Sequence, residues 1–337
     1  MEDFVQSVLG ISLFSLMIIA TFALLGLILS GLIMVFITAK EAVPTITRFE
    51  SEKSFQDPNK NNAIYSFPYM EEEGSIDLSV VVPSYNEEER LPIMMDETLE
   101  YLLEKKKSNP SFTSEIIVVD DGSKDKTTEV GLRYAKQCGV SSVRVLTLAK
   151  NRGKGGAVRM GVFSSRGRKI LMADADGATK FSDLDRLDTA LNDVTAAKGV
   201  KPAIVCGSRA HLQEEAVATR SAFRNFLMYG FHFLVWFLCV KGIKDTQCGF
   251  KLFTRSAALL TFSALHVERW AFDVELLYIA QQLQIPIAEV AVNWTEIDGS
   301  KMIPVWSWLQ MGKDLLLIRL RYVIHAWRIQ TIKLKTQ

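Results

Sequence analysis

No charged residue stands between Asp3 and Lys40. The run from Phe4 to Ala39, with VLGISLFSLMIIATFALLGLILSGLIMVFI at its heart, is almost wholly apolar. Crossing a bilayer takes about 20 such residues, whereas the apolar core of a signal peptide is only about 7–15 long. The segment opens on Glu2 and Asp3 rather than on basic residues, so residues 1–39 read as an uncleaved transmembrane anchor. A buried core helix is the other structure such a run can form, and the length argues against it. Lys40, Arg48 and Lys53 follow the span and acid precedes it, which by the positive-inside rule puts the rest of the chain in the cytosol. Glu41, Glu50 and Glu52 dilute that excess.

Residues 40–75 are polar and broken by Pro, Asn and charge, the composition of a linker, stalk or strap. From residue 76 the pattern becomes regular. IDLSVVVPS, SEIIVVDD, SVRVLTLA and KILMADAD are apolar throughout, and the stretches between them carry apolar residues at helical spacing. Strands of this kind alternating with helices predict an α/β fold, a mostly parallel sheet covered by helices on both faces. Such sheets bind ligands beyond the carboxyl ends of their strands. The polar clusters fall there: Pro83-Ser84-Tyr85-Asn86-Glu87, Asp120-Asp121-Gly122-Ser123 and Asp174-Ala175-Asp176.

Each cluster has a plain and a chemical reading. Asp120, Asp121 and Ser123 can cap the next helix, the role that suits Ser123 best. Two adjacent acids closing a buried strand can also accept hydrogen bonds from a base or a ribose. Asp-Gly at 176–177 is a turn signal. In an extended chain, however, Asp174 and Asp176 point the same way and suit a hard cation such as Mg²⁺ or Mn²⁺, which commonly also takes substrate phosphates. In LAKNRGKGGAVRMG, Gly153, Gly155 and Gly156 allow close backbone approach to a ligand and Arg152 and Lys154 bring charge. A flexible loop opening a helix explains the stretch equally well. The spacing is that of neither a P-loop nor a dinucleotide fingerprint.

The chain carries 39 basic and 38 acidic residues, with no long basic run, so composition gives no support to a nucleic-acid partner. Cys138, Cys206, Cys239 and Cys248 are widely spaced, which implies a reducing compartment and no structural zinc site.

The ordered set VVVPSYNEEERL, EIIVVDDGSKDKT, NRGKGGAVRMG, MADADGA, CGSR and DTQCGFKLF resembles the inverting family-two glycosyltransferases of GT-A fold, above all those that use polyprenyl phosphates as acceptors. The resemblance runs from about Ser75 to the C-terminus. It implies a GT-A glycosyltransferase domain over residues 76–300, followed by an amphipathic segment at 301–337. It implies UDP-glucose as donor, dolichyl phosphate as acceptor, and an endoplasmic reticulum membrane enzyme with one span and a cytosolic catalytic domain. GDP-mannose is the alternative donor. A non-catalytic, membrane-anchored nucleotide-binding protein is the alternative of another kind.

The same resemblance implies the site residues. Pro83, Tyr85 and Glu87 line the nucleotide pocket, Asp120 and Asp121 read uracil and ribose, and Arg152 and Lys154 lie beside base and diphosphate. Asp174 and Asp176 form the metal motif, with Asp176 the direct ligand. Gly177-Ala178-Thr179 stands where mannosyl relatives have a further glutamine. Arg209 holds the lipid phosphate, helped by Arg220 or Arg224, whose other reading is membrane-surface charge. Asp245, Gln247 and Lys251, and then Trp270, Asp273 and Glu275, close the acceptor side, and Asp245 or Asp273 orients the acceptor or serves as base. For Asp273 and Glu275 the plain reading is helix N-terminal charge. Processive polysaccharide synthases share the sheet motifs but carry Q-x-x-R-W, whereas this chain has HVERW at 266–270. Phe223–Gly242 and the Trp- and Arg-containing C-terminus read as interfacial helices, although the C-terminal one fits packing on the sheet nearly as well. The sequon Asn293-Trp294-Thr295 would stay unmodified on a cytosolic domain.

Overall fold

The computed structural model describes residues 13–39, 41–199, 202–212, 222–297 and 306–330. The apolar run forms one helix, α1 (Leu13–Ile37), whose side chains are exposed along almost its whole length. It is long and apolar enough to cross a membrane.

The sheet begins with β3 (Ile76–Ser84), preceded by a two-stranded hairpin of β1 (Ser54–Asp57) and β2 (Ala63–Ser66). Then follow α2 (Leu91–Ser108), β4 (Ser114–Asp120), α3 (Thr127–Cys138), β5 (Val143–Thr147), α4 (Lys154–Val162) and β6 (Gly167–Met172). After these come α5 (Leu184–Lys198), β7 (Ile204–Ser208), α6 (Ala222–Leu238), β8 (Lys251–Thr254), α7 (Arg255–Ser263), α8 (Phe272–Gln282), β9 (Ile287–Ala291) and α9 (Trp306–Val323). The seven-stranded order is β5-β4-β3-β6-β8-β7-β9, with β8 antiparallel to both neighbours and every other pairing parallel.

Alternation along β3 explains the two-sided core. Val81 faces the layer containing α4, α7 and α8, while Val80 and Val82 face the layer containing α2 and α5. All three valines are fully buried, each contributing roughly 1.5–3 kcal/mol of apolar burial. This is why the strand is apolar throughout instead of alternating with polar residues.

One segment departs from the sequence reading. The segment expected as a linker, residues 40–75, packs onto the domain from residue 41 on, Lys40 lying outside the described residues. Arg144 lies under Phe55 and Phe67 of the hairpin, 5.2 and 5.0 Å from their ring centres, and Glu52 is fully buried. The aromatic residues among the polar ones supply the apolar surface that makes this possible. At the C-terminus, α9 packs against α6 and α1. Met311, Leu315, Ile318 and Tyr322 form its buried stripe, while Leu309, Leu316 and Val323 face outward.

Candidate active site

The carboxyl ends of β3, β4, β5 and β6 open on one edge, and β8, running the other way, begins there. The clusters named above therefore meet.

On the side of the opening formed by β3 to β5, Pro83 and Tyr85 are half-buried at the end of β3. The Glu87 carboxylate is gripped by Arg90, Nε at 2.7 Å and Nη2 at 2.5 Å. Asp120 accepts from the Ser123 amide at 2.9 Å and from the Thr128 hydroxyl. Ser123 does not cap a helix: its hydroxyl accepts from the Asn86 amide, and α3 starts only at Thr127. Asp121 accepts from the amides of Arg152 at 2.7 Å and Gly153 at 2.9 Å, so it holds the glycine-rich loop. Burial, aided by repulsion from Asp120 and Glu268, pushes the Asp121 carboxyl up to about 6 despite those two amides.

The glycines of this loop serve packing. A side chain at Gly155 would strike the Phe272 ring, and one at Gly153, where φ is +87°, would meet the Glu268 carbonyl. Arg152 also differs from expectation. Its guanidinium is buried on Glu52, at 2.7 Å, and is not presented to the open edge.

Asp174 and Asp176 lie in a turn rather than an extended strand, so the two-residue alternation does not set their directions. They are nonetheless close. Burial first, and repulsion by Asp174 second, raise the Asp176 carboxyl above its ordinary range. The Lys154 ammonium supplies local positive charge, 2.7 Å from Asp174 Oδ1 and 2.9 Å from Oδ2. Burial alone would lower Lys154, but Asp174 and Asp273 outweigh it and hold the amine above its usual value. Arg90 is a second cation within electrostatic reach of both aspartates. Gly249 is required where it stands, since any side chain would run into the Asp174 carboxylate.

The pair fits a hard divalent cation. Asp174 Oδ1 is buried and, beyond its ionic contact with Lys154, receives no hydrogen bond. Asp176 uses Oδ1 to accept from the Ala178 amide at 3.0 Å. Among the described residues no third His, Cys, Asp or Glu joins them, so a cation here would complete its shell with water and substrate oxygen.

On the other side of the opening, Arg209 follows β7. Its Nε and Nη2 grip Asp245 at 2.7 and 3.0 Å, and its guanidinium lies 5.3 Å from the Trp294 ring centre. Burial would raise the Asp245 carboxyl, but the bonds to Arg209 prevail and hold it below the usual range. Gln247 bonds Met311 of α9. Lys251 is fully buried, with its ammonium on Asp273 and the Cys248 carbonyl, both at 2.6 Å. It is an internal strut, out of contact with solvent. Asp273 is buried with it, and burial raises its carboxyl against the pull of Lys251 and Lys154.

Glu275 does not reach the opening. It accepts from the amides of His266 and Val267 and from the Tyr322 hydroxyl at 2.8 Å. Trp270 packs at the margin of the core. Arg220 lies outside the described residues and Arg224 lies in α6.

Four contributors escaped the sequence reading: Glu52, Arg90, Gly249 and Trp294. Only Arg90 had a visible signal, three residues after Glu87 at a helix start. Trp294 is brought in by strand-like pairing of 178–180 with 293–295, through Lys180 N to Asn293 O and Thr295 N to Ala178 O. The same pairing ties up the sequon, since Asn293 Nδ2 donates to Asp183 at 3.0 Å.

A helix-covered, mostly parallel sheet with acidic clusters at its strand ends, a D-x-D turn and Arg209 on the far wall has the architecture of a glycosyltransferase of the GT-A class. Over residues 79–259 the sequence matches Glycosyl transferase family 2. It is 62% identical over 313 residues to the dolichyl-phosphate beta-glucosyltransferase of Homo sapiens, covering 91% of this chain and 96% of that one. With the enzyme of that name from Saccharomyces cerevisiae it is 46% identical over 266 residues, 77% and 78% of the two chains. The fold matches mannosyl-3-phosphoglycerate synthase from Rubrobacter xylanophilus with a TM-score of 0.51 at 18% identity, covering 77% of this chain and 78% of that one. The chain belongs to glycosyl transferase family 2, in its dolichyl-phosphate β-glucosyltransferase branch.

Proposed function

We propose that this chain transfers glucose from UDP-glucose to dolichyl phosphate with inversion, giving dolichyl β-D-glucosyl phosphate, a lipid-linked donor for protein N-glycosylation. The carrying observation is 62% identity across 91% of the chain with a relative of that name. In this reading the enzyme is a single-pass protein of the endoplasmic reticulum membrane with its catalytic domain in the cytosol.

The chemistry follows from charge. A phosphate oxygen of the acceptor attacks the anomeric carbon, the bond from that carbon to the diphosphate breaks, and UDP leaves with the electron pair. The acceptor is already an anion, so no strong base is needed. That agrees with Asp245 and Asp273, both of which stand in ion pairs. We assign them to orienting Arg209 and Lys251. Holding two anions in line is the main demand, and Arg209 and Lys154 are the cations placed to meet it. Asp174 and Asp176 would hold Mg²⁺ or Mn²⁺, which when bound neutralises the leaving diphosphate.

The test is transfer from radiolabelled UDP-glucose, and separately GDP-mannose, to dolichyl phosphate in membranes, with and without chelator. Glucosyl lipid is expected, abolished by chelator and reduced on the order of a hundredfold in Asp176→Ala. Mannosyl lipid in its place would overturn the donor. No lipid product from either donor would overturn the enzymatic reading.

A further inference from the structure

Glu52 is a fully buried carboxylate supplied by the strap between the anchor and the sheet, outside the family-matched residues 79–259. A buried charge destabilises a fold unless its oxygens are well partnered. Every partner of this one outside its own turn lies on the glycine-rich loop. Oε1 accepts from the Ala149 amide at 3.1 Å, and Oε2 takes the Arg152 guanidinium at 2.7 Å. Within its own turn Oε2 also accepts from the Phe49 amide at 3.1 Å.

The turn itself is pinned from behind. Arg48 Nη2 donates to the Glu52 carbonyl at 2.6 Å and to the Ser164 hydroxyl, beyond the end of α4, at 2.7 Å. The Phe49 ring lies 5.6 Å from the Lys150 ammonium and 5.8 Å from the Arg152 guanidinium, over the outer surface of the loop.

The loop is thus gripped on two flanks. Asp121 holds the amides of Arg152 and Gly153 from the sheet side, and Glu52 holds Ala149 and the Arg152 side chain from the strap side. Two residues after Arg152 stands Lys154, whose ammonium reaches Asp174. Where the loop sits therefore decides where Lys154 sits relative to the D-x-D turn.

We infer that Glu52 is a positioning residue for the donor: it fixes the 149–154 loop in the shape that receives the nucleotide diphosphate. This rests on the reading that the loop belongs to the UDP-glucose pocket. It gives Arg152 a role unlike the one its place in the motif implies. Arg152 is the handle by which the strap holds the loop.

The experiment uses the full chain in detergent. UDP binding with Mg²⁺ is measured by calorimetry, and initial rates are measured against each substrate with the other saturating. In Glu52→Gln the Kd for UDP and the KM for UDP-glucose should rise about tenfold. kcat should stay within about twofold, and the KM for dolichyl phosphate should not move. Glu52→Asp keeps the charge, and with it folding, but cannot span both partners, so it should fall between. Glu115→Gln is the control, because Glu115 is equally buried at the opposite end of the strands, on Arg144 and Arg166. It should lower the Tm and leave the KM for UDP-glucose unchanged.

Glu52 variants that lose Tm but keep UDP affinity would overturn the inference and leave the glucosyltransferase reading standing. A wild type that binds no UDP would overturn both.

Discussion

At the scale of single residues, one carboxylate at the strand ends is held away from its ordinary protonation by burial. The residue is Asp121. Its carboxyl is pushed up to about 6, chiefly by burial, while it accepts two loop amides. When it takes a proton, one oxygen becomes a hydroxyl and loses an amide partner. UDP affinity should therefore fall as pH drops through about 6, measured by calorimetry across pH 5–8, and Asp121→Asn should bind weakly with a shallower pH dependence, the remainder being that of the UDP phosphate itself. Stability moves the other way. The folded value lies above the roughly 3.9 of an unfolded aspartate, so this group's contribution is fullest below about pH 4 and is lost as pH rises through about 6. The acidic clusters were legible because they interrupt apolar strands. Their partners were not, since Glu52 lies 97 and 100 positions from the loop residues it binds. No local pattern encodes a contact made only by the folded chain.

At the scale of elements, strands buried on both faces declare themselves and short mixed ones do not. β3 to β6 could be read from continuous apolar runs. β8 is only Lys251–Thr254, and its antiparallel course, with a fully buried lysine at its start, reflects what the neighbouring strands and Asp273 demand. α8 looked like a helix with acid in its first turn for dipole reasons, yet Glu275 points inward and ties that helix to α9 through Tyr322. Removing that bond should loosen the two helices without touching the site. Tyr322→Phe is expected to lose about 1.5–3 kcal/mol in thermal unfolding, the range for a hydrogen bond to a charged group, with both KM values unchanged. A changed KM for dolichyl phosphate would instead make the α8–α9 junction part of acceptor binding.

At the scale of the whole molecule, most of the exposed large apolar side chains among the described residues fall in three helices. α1 is bare, α6 shows Tyr229, Phe233, Trp236 and Phe237, and α9 shows Leu309, Leu316 and Val323. An apolar surface of this extent calls for a partner phase, and a bilayer would cover it. The full chain is expected to stay in the membrane pellet after alkaline carbonate extraction, and release into the supernatant would contradict this. The long apolar helix α1 could be read in the sequence from its length and lack of charge. How it joins the domain could not, because the junction is made by the far end of the chain. Arg321 donates to the Thr38 carbonyl, the Trp327 indole to that of Ala39 and the Arg328 amide to that of Ala42. The Trp327 ring in turn stacks on His266, 4.2 Å between centres.

That clasp has a metric consequence. A domain hung on a loose tether would sample many heights above a bilayer and many tilts. A domain clasped at the foot of α1 would be held to a narrow range of each. With α1 in a bilayer, the opening would stand at a set distance from the hydrocarbon boundary, and a lipid phosphate would be selected by depth as well as by charge. The search for such an acceptor would then run in two dimensions, with the height set by the fold.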